Sequence, residues 1–203
     1  MPDIYLASSS PRRQELLRQI GIAFHQLDVS VDEEPGPQET GRELALRLAR
    51  RKAVAGWAHR QRTLDIPVLG ADTVVVCKGK ILGKPAGQAQ ALAMLELLSG
   101  STQQVFSAVS VCQGEKTASA VNLSSVTFRE IPRQERESYW YSGEPADKAG
   151  AYAIQGLGAV FIEELKGSFS AVMGLPLYET HKLLVQFGIH CLLNRYSNNL
   201  ENE

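Results

Sequence analysis

One carboxylate inside an apolar run constrains this chain more than any other sequence feature. Residues Val68–Cys77 are almost continuously apolar and rich in β-branched side chains, and Pro67 precedes them. This pattern predicts a strand that is buried on both faces. Asp72 interrupts it, and burying an unpaired carboxylate costs several kcal/mol. Asp72 is therefore paired, bound to a metal or open to a cavity, unless it caps a turn where the strand ends early. Gly70 and Ala71 leave room for a close approach to the backbone.

The composition limits the classes of protein to consider. The chain has 203 residues, 44% of them hydrophobic, and 21 Lys+Arg balance 22 Asp+Glu to a net charge of −1. These values are typical of a globular protein and argue against a nucleic-acid partner. The N-terminus has no signal-peptide pattern, and no run approaches the roughly 18 apolar residues of a membrane span. Three scattered cysteines argue against disulfides or structural zinc, so we expect a cytoplasmic protein without membrane contact.

A helix start near the N-terminus carries unusual charge. Ser10 suits the N-cap and Pro11 the first helical position. Arg12 and Arg13 then fall in the first turn, where the helix dipole is already positive. An anion would resolve this conflict, because free backbone N–H groups, hydroxyls such as that of Ser8 and two guanidinium groups together bind phosphate. The alternative is two solvated arginines on a surface helix.

An acidic cluster and a basic helix follow. Asp32–Glu34 comes after an alternating strand at residues 23–31 and precedes a proline-containing loop. Such a cluster is usually solvated, and it matters only if the fold brings it to Asp72, where two carboxylates could share a divalent cation. Thr40 begins a capping box, so a helix should run to about His59. Its basic residues are Arg47, Arg50, Arg51 and Lys52. We expect most of these four side chains to be solvated.

Two later stretches place polar residues at turns. Lys84 is followed by Pro85, which ends the second strand of a hairpin and fixes Lys84 on a turn. Residues Gly143–Gly158, here called the glycine-rich segment, contain four glycines, which indicates tight turns or close backbone approach to a ligand. Their spacing fits neither a Walker loop nor a dinucleotide fingerprint.

The remaining pattern predicts the fold class. Helices are expected at residues 88–98 and 132–141 and in a last helix ending at 187, and strands at 105–112, 118–128 and 160–165. Together these elements predict an α/β chain with a mixed twisted sheet flanked by helices. We expect a single domain over residues 1–196 and a disordered tail at residues 197–203.

The polar residues at element ends indicate a reaction class. An anion-binding helix start, one or two carboxylate positions and lysines beside turns are what metal-assisted attack on a phosphate ester requires. No serine–histidine or cysteine–histidine nucleophile system stands out, with four histidines in the chain. The residues alone therefore predict a nucleotide or phosphate-ester hydrolase.

Six ordered motifs also give the sequence a recognisable resemblance, over residues 5–187. It resembles the Maf family of nucleoside triphosphate pyrophosphatases, and within it the branch that acts on dTTP and UTP. The motifs that carry the resemblance are Leu6–Arg13, Gly70–Val75, Gly83–Pro85, Leu98–Gly100, Lys148–Gly156 and Gly174–Leu177.

The resemblance implies a reaction and roles for individual residues. Nucleoside triphosphates would be cleaved between the α and β phosphates to a monophosphate and pyrophosphate, with a divalent cation such as Mg²⁺ or Mn²⁺. Asp72 would be the proton acceptor that activates water, and Glu33 its metal-binding partner. The residues that would bind the triphosphate are Ser8, Arg12, Arg13, Lys52, Lys84 and Lys148.

The resemblance also bears on base selection and architecture. Arg12, Thr73 and Gln155 match the positions that separate the family's substrate branches, and an amide such as Gln155 can donate and accept at the imide edge of thymine or uracil. Phe169 stands where close relatives often carry tyrosine, so a hydrogen bond from that hydroxyl is absent. The implied fold, of the Maf and inosine triphosphatase kind, has two lobes around a central cleft, and a homodimer is compatible with it.

Two other functions compete with this one. The first is a sibling enzyme for 7-methylguanine or a modified pyrimidine nucleotide; Arg12, Thr73 and Gln155 argue against the former only. The second is a non-catalytic nucleotide- or nucleic-acid-binding regulator of septum formation. A binder has no need of a carboxylate beside a phosphate, because it would repel the ligand unless a cation intervened.

Overall fold

The computed structural model describes residues 2–191, and within them the chain is a mixed α/β protein. The strands are β1 Ile4–Leu6, β2 Phe24–Gln26, β3 Val68–Cys77, β4 Lys80–Leu82, β5 Thr102–Gln113, β6 Lys116–Phe128 and β7 Ile162–Lys166. The helices are α1 Pro11–Gln19, α2 Gly41–Trp57, α3 Gln88–Leu98, α4 Arg133–Tyr141, α5 Phe169–Met173 and α6 Leu177–Gln186. Three 3-10 helices lie at Glu144–Asp147, Ala149–Ala151 and Leu157–Phe161.

One mixed sheet contains all seven of these strands, in the order β2-β1-β3-β5-β6-β7 with β4 paired to β3. β1 is parallel to both β2 and β3, whereas the β3–β4 and β6–β7 pairs are antiparallel. The predicted α/β class with a mixed sheet flanked by helices is therefore confirmed. Because β2, β1 and β3 are parallel, the chain leaves all three at the same edge of the sheet, where α/β proteins commonly bind ligands.

The described residues form two compact units. Residues 2–72, 108–121 and 174–191 make up the first, and residues 73–107 and 122–173 the second. The chain passes from the first to the second within β3, between Asp72 and Thr73. A single domain over residues 1–196 and a cleft between two lobes stay predictions, and the tail at 197–203 lies outside the described residues.

Local sequence signals account for the best-predicted elements. Thr40 forms the expected capping box: its Oγ1 accepts from Glu43 N at 3.3 Å, and the Glu43 carboxylate accepts from Thr40 N at 2.9 Å. Lys78 and Gly79 both have positive φ, as a two-residue hairpin turn between β3 and β4 requires. The predicted strand at 68–77 and helix at 88–98 are confirmed with those bounds.

Other elements differ from prediction for reasons outside their own sequence. The strand expected at residues 23–31 is limited to Phe24–Gln26, because β2 pairs with β1, which is itself three residues long. The strand expected at residue 160 begins at Ile162, since a 3-10 helix occupies the residues before it. α2 ends at Trp57, within two residues of the predicted end at about His59.

The core of the first unit packs α2 against the sheet. Tyr5, Ala7, Leu27 and Val68 form a buried apolar cluster below the helix. All three cysteines are buried and free of disulfides. No helix in residues 2–191 is long and apolar enough to cross a membrane.

Candidate active site

Asp72 lies in the middle of β3 and is paired with a lysine. The residue is 8% exposed, and its Oδ1 is 2.7 Å from Lys52 Nζ. The structure excludes the alternative that Asp72 caps a turn, since β3 continues to Cys77, and it shows the carboxylate paired. The ion pair and its hydrogen bond offset the cost of burying the carboxylate.

Gly70 allows Lys52 to reach Asp72. A Cβ at Gly70 would lie 2.4 Å from Ala53 N and 2.5 Å from Ala49 O, so the backbone of α2 lies directly against β3 at this point. The room that the sequence predicted beside Asp72 is therefore filled by the protein's own helix rather than by a ligand. Lys52 lies on the same turn of α2, so the close contact between α2 and Gly70 determines its position.

The acidic loop, defined as residues 32–39, brings a second carboxylate to the same lysine. Glu33 Oε1 is 2.6 Å from Lys52 Nζ, and the Glu33 side chain is 58% exposed. One ammonium group thus links a buried carboxylate on β3 to an accessible carboxylate on the loop. The condition set by the sequence for a functional acidic cluster, that the fold brings it to Asp72, is met.

A second ion pair fastens the acidic loop to α2. Arg47 Nε and Nη2 bind the two carboxylate oxygens of Glu39 at 2.6 and 2.8 Å, and Nη2 also donates to Glu34 O at 2.9 Å. Glu39 accepts in addition from Gly36 N at 2.9 Å. The hydrogen bonds from Arg47 lower the pKa of Glu39 to about 2. Arg47 and Lys52 are thus paired rather than solvated, whereas Arg50 and Arg51 are exposed, so the expectation holds for two of the four basic residues.

Arg13 is built into the first unit rather than solvated. Its Nε donates to Gly174 O at 2.9 Å and its Nη1 to Ser8 Oγ at 3.1 Å. Burial lowers the pKa of Arg13, while the negative charges of Asp72 and Glu33 oppose that shift. Ser10 occupies the predicted N-cap position of α1 without a side-chain capping bond. Arg12 lies two residues after the cap and is partly buried.

The first unit thus gathers five of the predicted residues: Ser8, Arg13, Glu33, Lys52 and Asp72. Ser8 lies two residues after the end of β1, the acidic loop lies between β2 and α2, and Asp72 lies on β3. β1 and β2 end level with each other, and Leu6 at the end of β1 pairs with Leu69, so Asp72 lies just beyond that level on the longer strand β3.

Two predicted lysines of the second unit lie on turns that bind each other. Lys84 is exposed just after β4, and Gly83 O accepts from Gly150 N at 3.0 Å. Lys148, two residues before Gly150, is partly buried and forms an ion pair with Asp147. The backbone bond holds the turn carrying Lys84 to the glycine-rich segment carrying Lys148.

Thr73 and Gln155 have different surroundings within the second unit. Ser107 Oγ donates to Ala171 O, so the 3.0 Å bond between the Thr73 and Ser107 hydroxyls has Thr73 as donor. Gln155 is exposed on the glycine-rich segment, and Phe169, 49% exposed, begins α5.

Sequence reasoning missed the residues that support this set. Arg47, Glu39 and Gly174 hold the acidic loop and Arg13, while Tyr139 and Glu144 hold the glycine-rich segment. The capping box was the available signal near Glu39, since it fixes where α2 begins and so which face Arg47 occupies. Gly174 begins one of the motifs of the resemblance, but nothing in the sequence indicated that its carbonyl oxygen binds Arg13.

The first unit of this mixed α/β protein thus brings together two carboxylates, a lysine and a largely buried arginine. Comparison with known proteins gives the family. Residues 3–187 match the family described as Maf-like protein, and the chain belongs to that family.

The chain is similar along most of its length to curated bacterial proteins named dTTP/UTP pyrophosphatase. It is 50% identical over 191 residues to one from Alkalilimnicola ehrlichii, covering 93% of this chain and 94% of the relative. It is 49% identical over 187 residues to one from Salmonella typhimurium, covering 92% and 94%. Among solved structures, the Staphylococcus aureus Ham1 protein is 17% identical with a TM-score of 0.44, covering 62% of this chain and 71% of that one. That last similarity is too distant to carry an argument.

Proposed function

We propose that this protein hydrolyses nucleoside triphosphates, dTTP and UTP above all, between the α and β phosphates. The products are a nucleoside monophosphate and pyrophosphate, and the activity removes such nucleotides from the cellular pool. The names of the similar bacterial proteins support the substrates. The observation that carries the proposal is the pair of carboxylates, Asp72 and Glu33, on one lysine, with Arg13 in the same electrostatic environment.

Asp72 is proposed as the proton acceptor for water. A general base must first lie within hydrogen-bond distance of the proton that it accepts, and the fixed position of Asp72 on β3 suits this role. The attacking water would lose its proton to Asp72 as the bond between the phosphates breaks and pyrophosphate leaves. Lys52 and Arg13 would bind phosphate oxygens where negative charge develops. Ser8, Arg12, Lys84 and Lys148 are proposed as further phosphate ligands.

The residues present fit a divalent cation. Glu33 and Asp72 converge on a single positive charge, the Lys52 ammonium group. Among residues 2–191 no cluster of three or more metal-binding side chains occurs. Mg²⁺ and Mn²⁺ suit such a pair, because Mg²⁺ commonly takes one or two carboxylates and fills its coordination with water and substrate phosphate. When bound there, the cation would supply positive charge to the phosphate oxygens.

Base selection is assigned to Arg12, Thr73 and Gln155. The exposed Gln155 amide can meet the imide edge of thymine or uracil with one donor and one acceptor. Cytosine presents a different pattern, so an amide that is held in place should discriminate against it. We further propose a cytoplasmic location, consistent with three free cysteines, and a homodimer without a nucleic-acid partner.

The first experiment measures pyrophosphate release from a panel of nucleoside triphosphates, with and without Mg²⁺ or Mn²⁺. Wild type and Asp72→Asn are compared, because the amide is nearly isosteric but lacks the base and a metal ligand. Metal-dependent release from dTTP and UTP is expected, with turnover at least about a hundredfold lower in the variant.

Each other outcome changes one part of the proposal. Release confined to a different or modified base would keep the reaction and overturn the base assignment. Turnover that largely survives Asp72→Asn would place the chemistry on other residues. No release from any nucleotide would favour a nucleotide-binding regulator.

A further inference from the structure

We propose that Tyr139 and Glu144 are positioning residues that set base selectivity by holding Gln155 in place. This inference rests on the proposed function, in which Gln155 meets the base. Both residues belong to the second unit and lie outside the six motifs that carry the family resemblance.

Glu144 is the centre of a hydrogen-bond cluster on the glycine-rich segment. Its Oε1 accepts from Tyr139 Oη at 2.6 Å and from Gly158 N at 2.9 Å, and its Oε2 accepts from Leu157 N at 2.9 Å. Hydrogen bonds to a charged acceptor are roughly twice as strong as neutral ones. One carboxylate therefore fixes the backbone immediately after Gln155.

Tyr139 fixes the backbone on the other side of Gln155. Its Oη accepts from Ala153 N at 3.1 Å while donating to Glu144. The Tyr139 ring packs edge-on against Phe161 with centroids 5.1 Å apart, and the residue is 4% exposed. Gln155 thus lies between two fixed backbone positions, at Ala153 and at Leu157.

Two glycines of this segment leave room for the side chains of Tyr139 and Glu144. A Cβ at Gly156 would lie 2.2 Å from Glu144 Oε2, and one at Gly158 would lie 2.5 Å from Tyr139 Oη. Gly156 also has a φ of 136°, which side chains rarely adopt. The glycines after Gln155 are therefore explained by internal packing, and no ligand is needed to account for them.

This arrangement makes selectivity sensitive to residues that do not touch the base. A displacement of about 1 Å at a positioned group is enough to cost on the order of a hundredfold in rate. A loosened Gln155 amide would lose its match to the imide edge, while Asp72 and Lys52, on other elements, would keep theirs. Selectivity should fall while turnover of the best substrate changes little.

The test is a double-mutant cycle on the full-length protein. The ratio of kcat/KM for dTTP to kcat/KM for dCTP is measured for Tyr139→Phe, Glu144→Gln and Gln155→Ala, and for each of the first two combined with Gln155→Ala. Tyr139→Phe and Glu144→Gln should each lower the ratio by about tenfold, and neither should lower it further once Gln155 is alanine. Tyr141→Phe is the matched control, since Tyr141 lies two residues along the same helix and is 77% exposed.

The two levels of the proposal fail in different ways. If Gln155→Ala lowers the ratio but Tyr139→Phe and Glu144→Gln leave it at the wild-type value, the positioning proposal is overturned and the base assignment stands. If Gln155→Ala itself leaves the ratio unchanged, the base assignment fails and the positioning proposal falls with it. A purely structural effect would lower kcat/KM for both nucleotides equally, and that result also overturns positioning; Glu144→Gln provides the measurement should Tyr139→Phe not fold.

Discussion

The carboxylate cluster of the first unit and the glycine-rich segment of the second are held together by different forces. In the first, Lys52 lies between Asp72 and Glu33, and Arg47 grips Glu39 with two nitrogens. In the second, the carboxylate of Glu144 collects neutral donors from a tyrosine and two backbone amides. Ion pairs stabilise the first region. Hydrogen bonds to one carboxylate, and close packing that only glycine permits, stabilise the second.

This difference matches what each region is proposed to do. Handling a triphosphate requires cations and carboxylates that are already arranged, because charge develops there during the reaction. Selecting a base requires an uncharged donor and acceptor at fixed positions. Substitutions that remove charge should therefore affect turnover through the first region, and substitutions that change shape or hydrogen bonding should affect selectivity through the second.

Removing the Lys52 ammonium group, which Asp72 and Glu33 share, should have the largest effect on the first region. Lys52→Met keeps most of the unbranched side chain but leaves Asp72 without its ammonium partner, next to Glu33. Turnover should fall by about a hundredfold or more, as on loss of a transition-state donor. The free energy of unfolding should fall by about 1–3 kcal/mol because a buried acceptor loses its partner. Steady-state kinetics and urea unfolding measure the two effects.

Arg50→Met is the matched control for this substitution. Arg50 is exposed on the same helix, so its loss should leave both quantities close to wild type. Equal losses for the two variants would mean that the net charge of α2, rather than the Lys52 contacts, is what matters. An unchanged dTTP to dCTP ratio in any residual activity of Lys52→Met would sharpen the contrast with Gln155.

A smaller effect should follow from a steric change beneath the charges. In Gly70→Ala the new methyl group would meet the backbone of α2 at 2.4–2.5 Å, so the helix must shift. Overpacking of this kind costs about 1–3 kcal/mol, and moving α2 moves Lys52 away from Asp72. Thermal unfolding and turnover should therefore fall together. Gly83→Ala is the control for stability, because a Cβ there meets nothing within 4 Å; equal stability losses in both variants would remove the steric explanation.

The elements that sequence predicted well are those whose signal is local. The β-branched run at Val68–Cys77 predicts a strand and the capping box at Thr40 predicts a helix start, each from the residues of that element alone. The residues at 27–31 alternate like a strand but are not one, because the length of β2 depends on its three-residue partner β1. The length of a strand depends on the strand with which it pairs, and a short stretch of sequence does not reveal that partner.

The candidate site divides in the same way. The chemistry of Asp72 and Arg13 could be predicted, because each is a charged residue in an unfavourable or unusual local setting, whereas Glu33 was singled out from its acidic cluster only by the family resemblance. The partner of Asp72 could not be predicted, since Lys52 lies 20 residues earlier and reaches it only where Gly70 lets α2 approach β3. Likewise Arg47 pairs with Glu39 eight residues away, across the start of a helix. Pairings of this kind depend on tertiary geometry rather than on residue type.

The smallest expected effect separates charge from hydrogen bonding by acid titration. Arg47 lowers the pKa of Glu39 from 4.5 to about 2. A carboxylate with a lowered folded-state pKa adds stability that is fully present above its ordinary pKa and is lost as pH falls through the folded value. In Glu39→Gln this contribution is absent, so wild type should be more stable by about 1 kcal/mol near neutral pH, as for a partly exposed ion pair. Urea unfolding from pH 7 down to pH 2 should show the difference shrinking below pH 4.5 and approaching zero near pH 2.

Arg47→Met should lose the same pH-dependent part, together with a pH-independent part from its bond to Glu34 O. A difference that stays constant across the range would assign the acidic loop to hydrogen bonding alone, and the contrast with the glycine-rich segment would then disappear at this point of the molecule.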